Sequence, residues 1–240
     1  MALAGKAFLA LWNDIARTRE AEYDQWHTLE HVPERVAVSG FRGARRYVNR
    51  MKVEHRYFTL YDVDSLAVFE SAEYQDLLDH PTPWSKAMRP DFANFLRAIC
   101  SMTTSRGTGV GSAIACLCVP AATAQQRLQA ALQDAAALSR VNAVHSGRLV
   151  QTASPVPFAC PPPQRAPPRA FDRIALIEAL DRDAASHALD EVKRAVQLQA
   201  LPADFGADVY DLAFVFPGAD AGERLAHRRG GWDASRNSKP

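Results

Sequence analysis

The segment WHTLEHVPER, residues 26–35, places two histidines, two glutamates and an arginine next to a tryptophan. On a helix, His27 and His31 lie on one face because they are four residues apart. Histidine has an ordinary pKa near neutrality, which suits it to act as a general acid or base. Arg35, one turn after His31, is suited to hold a carboxylate or enolate oxygen. We therefore predict an acid–base site in which His31 transfers the proton.

The same residues allow two other interpretations. His27-Thr28-Leu29-Glu30-His31 matches the His-x-x-Glu-His pattern of inverted zinc peptidases. Such a site needs a third protein ligand, and Glu70 and Glu73 on a later helix occur without a supporting pattern. We therefore predict no metal. The plainer alternative is a solvated helix face, on which these charged side chains are surface groups in helical register.

Other residues must orient His31 and enclose a substrate. Glu30 is a poor partner because neighbouring side chains on a helix diverge by ~100°, so Glu34 or Tyr47 is predicted to orient His31. On the following strand Tyr47 and Arg46 point to opposite faces. We place Arg46 toward the helix and Tyr47 toward the barrel, with His31, Tyr47 and Arg35 as the catalytic set. The predicted substrate contacts are Trp26, His27, Arg46, Phe58, Tyr61 and Trp84.

Elements that position these residues alternate along the first half of the chain. Period-two patterns predict strands over 6–13, 44–50, 56–63 and 98–104. Helical spacing predicts one helix over 19–38 that stops at Gly40, and a second one that begins at Asp64 or Ser65. After an interruption at residues 80–83, helical spacing resumes over 84–96 with a break at Pro90. The order strand, helix, strand, strand, helix, strand is that of a ferredoxin-like unit.

The same order recurs in the second half. Strands are predicted over 112–119, 141–151, 171–180 and 208–216, with helices over 122–138 and after Asp181 or Asp183. We therefore predict an α+β fold of two tandem βαββαβ repeats, residues 1–106 and 107–217, with a Pro-rich insertion over 154–170 and a C-terminal tail over 218–240. Each unit leaves one sheet face bare, and pairing the two faces buries both. The result is one barrel, closed within the chain or across a homodimer.

Residues 22–48, EYDQWHTLEHVPERVAVSGFRGARRYV, resemble the EthD-like families of the dimeric α+β barrel superfamily. The shared pattern consists of Trp26, Glu30-His31, Pro33, Arg35, Gly40-Phe41 and Arg45-Arg46-Tyr47, and Ser39 replaces a usual proline. Residues 77–92 are similar to the same proteins. The resemblance covers the first ~100 residues, so the first repeat is predicted to carry the site. It implies a small apolar cavity between helix and sheet, where a histidine handles protons on an aromatic or carbonyl-bearing substrate.

Composition narrows the function classes. The chain has 240 residues, 48% of them apolar, and a net charge of +1, which gives no field to attract nucleic acid or an anionic membrane. Its apolar runs are shorter than the ~20 residues of a membrane span. No targeting segment is recognised, and the four cysteines are expected to be reduced and buried in a cytoplasmic protein. His145 and His187, in the repeat without motifs, are expected at the surface.

Two functions of different class follow. The first is a cofactor-independent lyase, isomerase or cyclase acting on a small aromatic or polyketide-like molecule in a barrel cavity. The second is a non-catalytic small-molecule-binding or accessory protein of a catabolic pathway. A third alternative is a purely structural protein whose barrel is fully packed. Some barrels of this superfamily bind haem, but no residue here is marked as an axial ligand, so we predict no cofactor.

Overall fold

A closed eight-stranded barrel forms the centre of the molecule, in a computed structural model that describes residues 2–150, 171–198 and 206–218. The strands are β1 (Ala7–Ile15), β2 (Phe41–Val48), β3 (Tyr57–Val63), β4 (Phe92–Gly107), β5 (Ala113–Pro120), β6 (Val141–Leu149), β7 (Phe171–Ala179) and β8 (Ala207–Pro217). The helices are α1 (Glu20–Trp26), α2 (Val32–Val36), α3 (Ala72–Asp79), α4 (Pro83–Met88), α5 (Gln125–Ala136) and α6 (Arg182–Ala195). A π-helical turn, His27–His31, joins α1 to α2.

The barrel combines two half-sheets of the same topology. Around the barrel the order is β1-β3-β2-β8-β5-β7-β6-β4, and every pair is antiparallel. Each half has the ferredoxin-like order, β4-β1-β3-β2 in the first and β8-β5-β7-β6 in the second. The pairs β2–β8 and β4–β6 join the halves, so the predicted α+β barrel of tandem units is confirmed and closes within one chain. The division at residue 106 stays a prediction, because both halves share one barrel.

Both faces of the barrel wall are covered, which explains why β1 is buried along its whole length. The inner side is filled by large side chains, among them Phe8, Trp12, Tyr47, Phe58 and Tyr210. On the outer side, α5 and α6 pack on the second half through small and aliphatic residues. Helices α1 to α4 cover the outer side of the first half-sheet. The middle of the barrel interior is therefore packed with side chains, while a pocket of about 380 Å³ remains at one end, next to Leu3, Arg45 and Leu60.

Two element predictions in the first half were wrong. The helix expected over 84–96 ends at Met88, and β4 begins at Phe92. Pro90 cannot continue a helix, and Phe92 pairs with Ile15 of β1. The helix expected to begin at Asp64 or Ser65 begins only at Ala72, after a short 3-10 turn at Leu66–Glu70, and Ser71 caps it by accepting a hydrogen bond from the amide of Tyr74 at 3.2 Å. Of the two caps proposed for α6, the structure uses Asp181.

The remaining predictions concern the cysteines, the Pro-rich insertion, the C-terminal tail and membrane spans. Cys100, Cys116 and Cys118 are buried free thiols, as expected, whereas Cys160 and the insertion over 154–170 lie outside the described residues. The same holds for residues 219–240 of the predicted tail. No described helix has both the length and the apolar character needed to cross a membrane.

A buried polar network joins the two halves inside the barrel. Arg45 of β2 forms an ion pair with Glu178 of β7, whose other carboxylate oxygen accepts a hydrogen bond from the amide of Gly111 at 3.0 Å. His145 Nε2 lies 3.4 Å from the same carboxylate, and His145 Nδ1 lies 3.0 Å from the Ser105 hydroxyl. His145 is fully buried, so its predicted surface position was wrong. Although burial opposes ionisation, the contacts with His145 and Arg45 lower the pKa of Glu178.

Replacing Glu178 with glutamine should destabilise the fold strongly, because it leaves the buried Arg45 guanidinium without its counter-charge. Breaking one side of a buried ion pair costs about 3–5 kcal/mol, and chemical denaturation measures the loss. Glu191→Gln on α6, which removes an exposed ion pair with Arg194, should change the free energy of unfolding by less than about 1 kcal/mol. Equal effects of the two substitutions would contradict a structural role for the buried network.

Candidate functional site

A small cavity lies between the helical segment 20–36 and the outer face of the first half-sheet. Its volume is about 40 Å³, enough for roughly three waters. Its mouth is formed in part by the half-buried side chains of His31, Phe95 and Arg97. The polar and aromatic residues that line it are Asn13, Tyr23, Trp26, His27, His31, Arg35, Thr59, Tyr74, Phe92, Phe95 and Arg97.

The π-helical turn that carries the two histidines has a cause in the sequence. Pro33 has no backbone N–H, so the α-helical hydrogen bond to the carbonyl of Leu29 cannot form, and the chain widens there. The wider turn keeps His27 and His31 on the cavity side with their ring centroids 5.1 Å apart. π-helical turns are rare and often mark functional sites.

Both imidazoles are held in the neutral form. His27 is 2% exposed, and its Nε2 lies 3.3 Å from the Thr59 hydroxyl. Burial, followed by the positive charges of Arg46 and Arg35, lowers the pKa of His27 well below its ordinary value. Burial, followed by Arg35, does the same to the pKa of His31. Within the described part of the chain, the buried Nδ1 atoms of both rings have no hydrogen-bond partner, so both can bind a ligand, a water or a proton.

Glu30 holds the wall of the cavity in place. Its carboxylate accepts hydrogen bonds from the indole of Trp26 at 3.1 Å, from the Ser85 hydroxyl at 3.1 Å and from the Thr82 hydroxyl. Thr82 and Ser85 belong to the start of α4, so this one carboxylate ties α4 to the histidine segment. The Trp26 ring in turn packs on the His31 ring with centroids 4.2 Å apart. Glu30 therefore positions the tryptophan that contacts His31.

Arg35 brings a positive charge to the interior end of the cavity. The side chain is 6% exposed, and Nη1 donates to the carbonyl of His31 at 3.3 Å and to the Glu34 carboxylate at 3.4 Å. Glu34, proposed to orient His31, contacts Arg35 instead. The Tyr61 hydroxyl is buried without a hydrogen-bond partner among the described residues, and burial raises its pKa despite the charge of Arg35.

The remaining predicted site residues lie elsewhere. Arg46 points to the helix side, as predicted, where it pairs with Asp24 and lies 5.0 Å from the Tyr23 ring. Tyr47 and Phe58 stack on each other inside the barrel, 5.8 Å apart, and thus face away from His31. Tyr47 therefore cannot orient His31 in this arrangement. Trp84 donates to Glu22 at 3.1 Å outside the cavity lining. The structure thus brings together Trp26, His27, His31 and Arg35, and separates them from Tyr47, Phe58 and Trp84.

Seven of the polar and aromatic lining residues were not predicted as site residues from the sequence, namely Asn13, Tyr23, Thr59, Tyr74, Phe92, Phe95 and Arg97. Thr59 shares a strand face with Tyr61, so the period-two pattern of β3 contained the signal. Phe95 was hidden because the helix predicted over 84–96 gave it no strand face, and Arg97 fell between that helix and the strand predicted over 98–104. Their position becomes clear only from the pairing of Arg97 with Leu11 in β1.

The geometry also tests the metal and haem alternatives. Across residues 2–150, 171–198 and 206–218, no group of three or more histidine, cysteine, aspartate or glutamate side chains could hold a metal ion. The zinc pattern at His27 and His31 thus has no third protein ligand there. A cavity of about 40 Å³ is also far too small for a porphyrin.

The fold is shared with solved structures of low sequence identity. An anthrone oxidase-like protein has a TM-score of 0.58 at 9% identity, with 92% of this chain and 97% of that chain covered. A provisionally named monooxygenase from Fusobacterium nucleatum has a TM-score of 0.52 at 10% identity, covering 89% and 95%. A mutant chlorite dismutase from Candidatus Nitrospira defluvii has a TM-score of 0.51 at 10% identity, covering 88% and 93%.

These likenesses show the fold alone, that of an α+β barrel, and they do not show the EthD-like family. No protein-family model matches the chain, and no curated protein matches its sequence.

The stability of the protein should fall as the pH drops below the ordinary histidine pKa of 6.5. The unfolded chain then binds a proton at His27, whereas folded His27, with its lowered pKa, does not. The contribution of His27 to the free energy of unfolding is fully present above pH 6.5. It decreases as the pH falls toward the folded-state pKa, by at most ~1.4 kcal/mol per pH unit. Denaturation of wild type and His27→Gln between pH 7.5 and 5.5 measures the difference. His27→Gln should show a shallower dependence of stability on pH than wild type. The control His80→Gln, at an exposed position, should match wild type. Parallel curves for His27→Gln and wild type would disprove the assignment of the pH dependence to His27.

Proposed function

We propose that the chain is an enzyme that transfers a proton on a small aromatic or polyketide-like molecule, with His31 as the general base. The observation that carries this proposal is the pair of imidazoles, His27 buried and His31 half-buried, whose buried Nδ1 atoms have no hydrogen-bond partner among the described residues, at a cavity that Arg35 also lines. A neutral imidazole at pH 7 is ready to accept a proton. Its environment in this site, apolar and positively charged, keeps it in that form.

The chemistry needs only groups that the cavity supplies. His31 Nδ1 removes a proton from an acidic C–H or O–H of the substrate, and the electron pair moves to a carbonyl oxygen. The nearby Arg35 guanidinium stabilises the resulting oxyanion. His31 then returns the proton to another atom of the same molecule, or gives it to a leaving group as that group departs. The net reaction is an isomerisation, a cyclisation or an elimination, with no change in oxidation state and thus no need for a redox cofactor.

The other cavity residues have supporting roles in this proposal. Trp26 forms an apolar wall against the His31 ring, and the Thr59 hydroxyl fixes the orientation of His27. His27 is a second base or a relay for the proton. Tyr47 and Phe58 belong to the barrel packing, so they take no part in the reaction.

A binding protein without catalysis remains the second candidate, and the small volume of the cavity favours it. A cavity of about 40 Å³ is well below the ~300–1,000 Å³ of typical ligand sites. A ligand larger than a few atoms therefore requires the half-buried side chains at the mouth to move. Catalysis and binding differ in one measurable respect, which is whether a substrate proton exchanges.

Proton exchange with deuterated solvent tests the proposal directly. Aryl ketones, unsaturated lactones and phenols with acidic C–H groups are incubated with the protein in D₂O, and NMR follows the loss of the C–H signals. We expect His31→Ala to reduce the catalysed rate by about 10²–10⁴-fold, while His80→Ala, at an exposed position, leaves it unchanged. The rate should stay flat from alkaline pH down past pH 6.5 and fall only well below it, because burial and the charge of Arg35 lower the pKa of His31 well below its ordinary value.

Four outcomes separate the candidates. Exchange that requires His31 supports the enzyme. Saturable binding without exchange supports the binding protein. Exchange that survives in His31→Ala contradicts the assignment of the base, and oxygen uptake during the assay would indicate an oxygenase, as the names of two structural neighbours suggest for those proteins.

A further inference from the structure

The charges that line the cavity are unbalanced. Two guanidinium groups, Arg35 and Arg97, face it, whereas its lining contains no aspartate or glutamate among the residues that the structure describes. The two histidines add no charge of either sign, since burial and the neighbouring arginines lower their pKa values and keep them neutral. The inside of the cavity therefore has a positive potential and favours an anion over a neutral molecule of the same shape.

Arg97 is the arginine that is free to bind such an anion. It lies on β4 opposite Leu11, half-buried at the mouth of the cavity. Its Nη2 donates to the Tyr74 hydroxyl at 3.3 Å, and its guanidinium lies 5.9 Å from the Phe69 ring. Both partners are uncharged. Within the described ranges, no carboxylate forms a salt bridge with Arg97, in contrast to Arg35, which lies 3.4 Å from Glu34.

The contacts of Arg97 hold it in place without neutralising it. The Tyr74 hydroxyl fixes one nitrogen, and the Phe69 ring supports the group from the side, so most of its donors remain available. A guanidinium presents five N–H donors in a planar fork that matches the two oxygens of a carboxylate. A cation that is held by neutral partners at the mouth of a cavity is a suitable site for a carboxylate.

We propose that Arg97 binds the carboxylate of an unsaturated or aromatic acid, and that the site therefore selects anionic substrates. The space of about 40 Å³ accommodates a group the size of a carboxylate, which has three heavy atoms. A ring enters when Phe95, half-buried at the mouth, turns outward. This inference rests on the proposed function only for the location of the site, because it concerns binding and not proton transfer.

The arrangement also separates two roles for the two arginines. Arg97, at the mouth, anchors the charge that the substrate already has. Arg35, buried beside His31, stabilises the charge that develops when a proton is removed. Because the anchoring group is distant from the reacting atom along the substrate, its loss should weaken binding without changing the identity of the base.

Matched acids and amides test the proposal. The probes are benzoate, phenylacetate and trans-cinnamate, each compared with its primary amide, which has the same shape without the charge. Isothermal titration calorimetry or chemical-shift titration gives each dissociation constant. We expect wild type to bind the acids about 10- to 100-fold more tightly than the amides, which is the range for a charge-assisted pair. Rising ionic strength should reduce this preference.

Substitutions at position 97 locate the preference. Arg97→Gln should remove it by weakening the acids about 10- to 100-fold while leaving the amides within about threefold of wild type. Arg97→Lys should retain part of it, because an ammonium keeps the charge but loses the planar fork. Arg106→Gln is the matched control, since Arg106 lies exposed on the same strand outside the cavity. Unchanged amide binding shows that the Arg97→Gln site is still folded.

The proposal is overturned if wild type binds acids and amides equally, if Arg97→Gln retains the preference, or if no acid shows saturable binding. His31→Ala distinguishes this inference from the proposed function. A preference for acids without His31-dependent proton exchange would support the anion site and reject the enzyme. Exchange on neutral molecules without a preference for acids would do the reverse.

Discussion

The burial of two bare sheet faces against each other is the constraint on which the rest of the structure depends. Each half of the chain forms a four-stranded sheet with helices on one side, and the other side is too apolar to remain in water. The pairs β2–β8 and β4–β6 close the two sheets into one barrel. Closure satisfies the backbone groups of all four half-sheet edges, which would otherwise be open to pairing with other chains.

The closed barrel limits where a ligand can bind. The middle of its interior is occupied by aromatic and aliphatic side chains and by the buried network around Glu178. In the second half, alanines in α5 and α6 allow those helices to approach the sheet closely. Larger pockets open at one end of the barrel, next to Arg45 and Leu60, and beside α5, whereas the small cavity under the helical segment of the first half is the one that His27 and His31 line.

Electrostatics gives this space its chemical character. Imidazoles that are buried beside guanidinium groups lose their affinity for protons, so His27 and His31 remain neutral where a surface histidine would be partly charged. The same guanidinium groups favour negative charge on anything bound there. A neutral base among positively charged groups suits the removal of a proton from a bound molecule. Both features arise because arginines on the helical segment and on β4 line one small apolar cavity.

The sequence by itself determined the order of elements, the duplication and the segment that carries the candidate site. Strand and helix periods are local properties, and the spacing of His27, His31 and Arg35 on one helical segment is also local. Only the tertiary structure decided which strand residues join them. Strand phase at Arg97 depends on pairing with β1 and not on its own neighbours, and Tyr47 faces the barrel because the other half-sheet covers that side. His145 is buried for the same reason, since it contacts Glu178, 33 residues away, and Glu178 pairs with Arg45 in the other half. Contacts between distant segments carry no local pattern, and so these assignments required the fold.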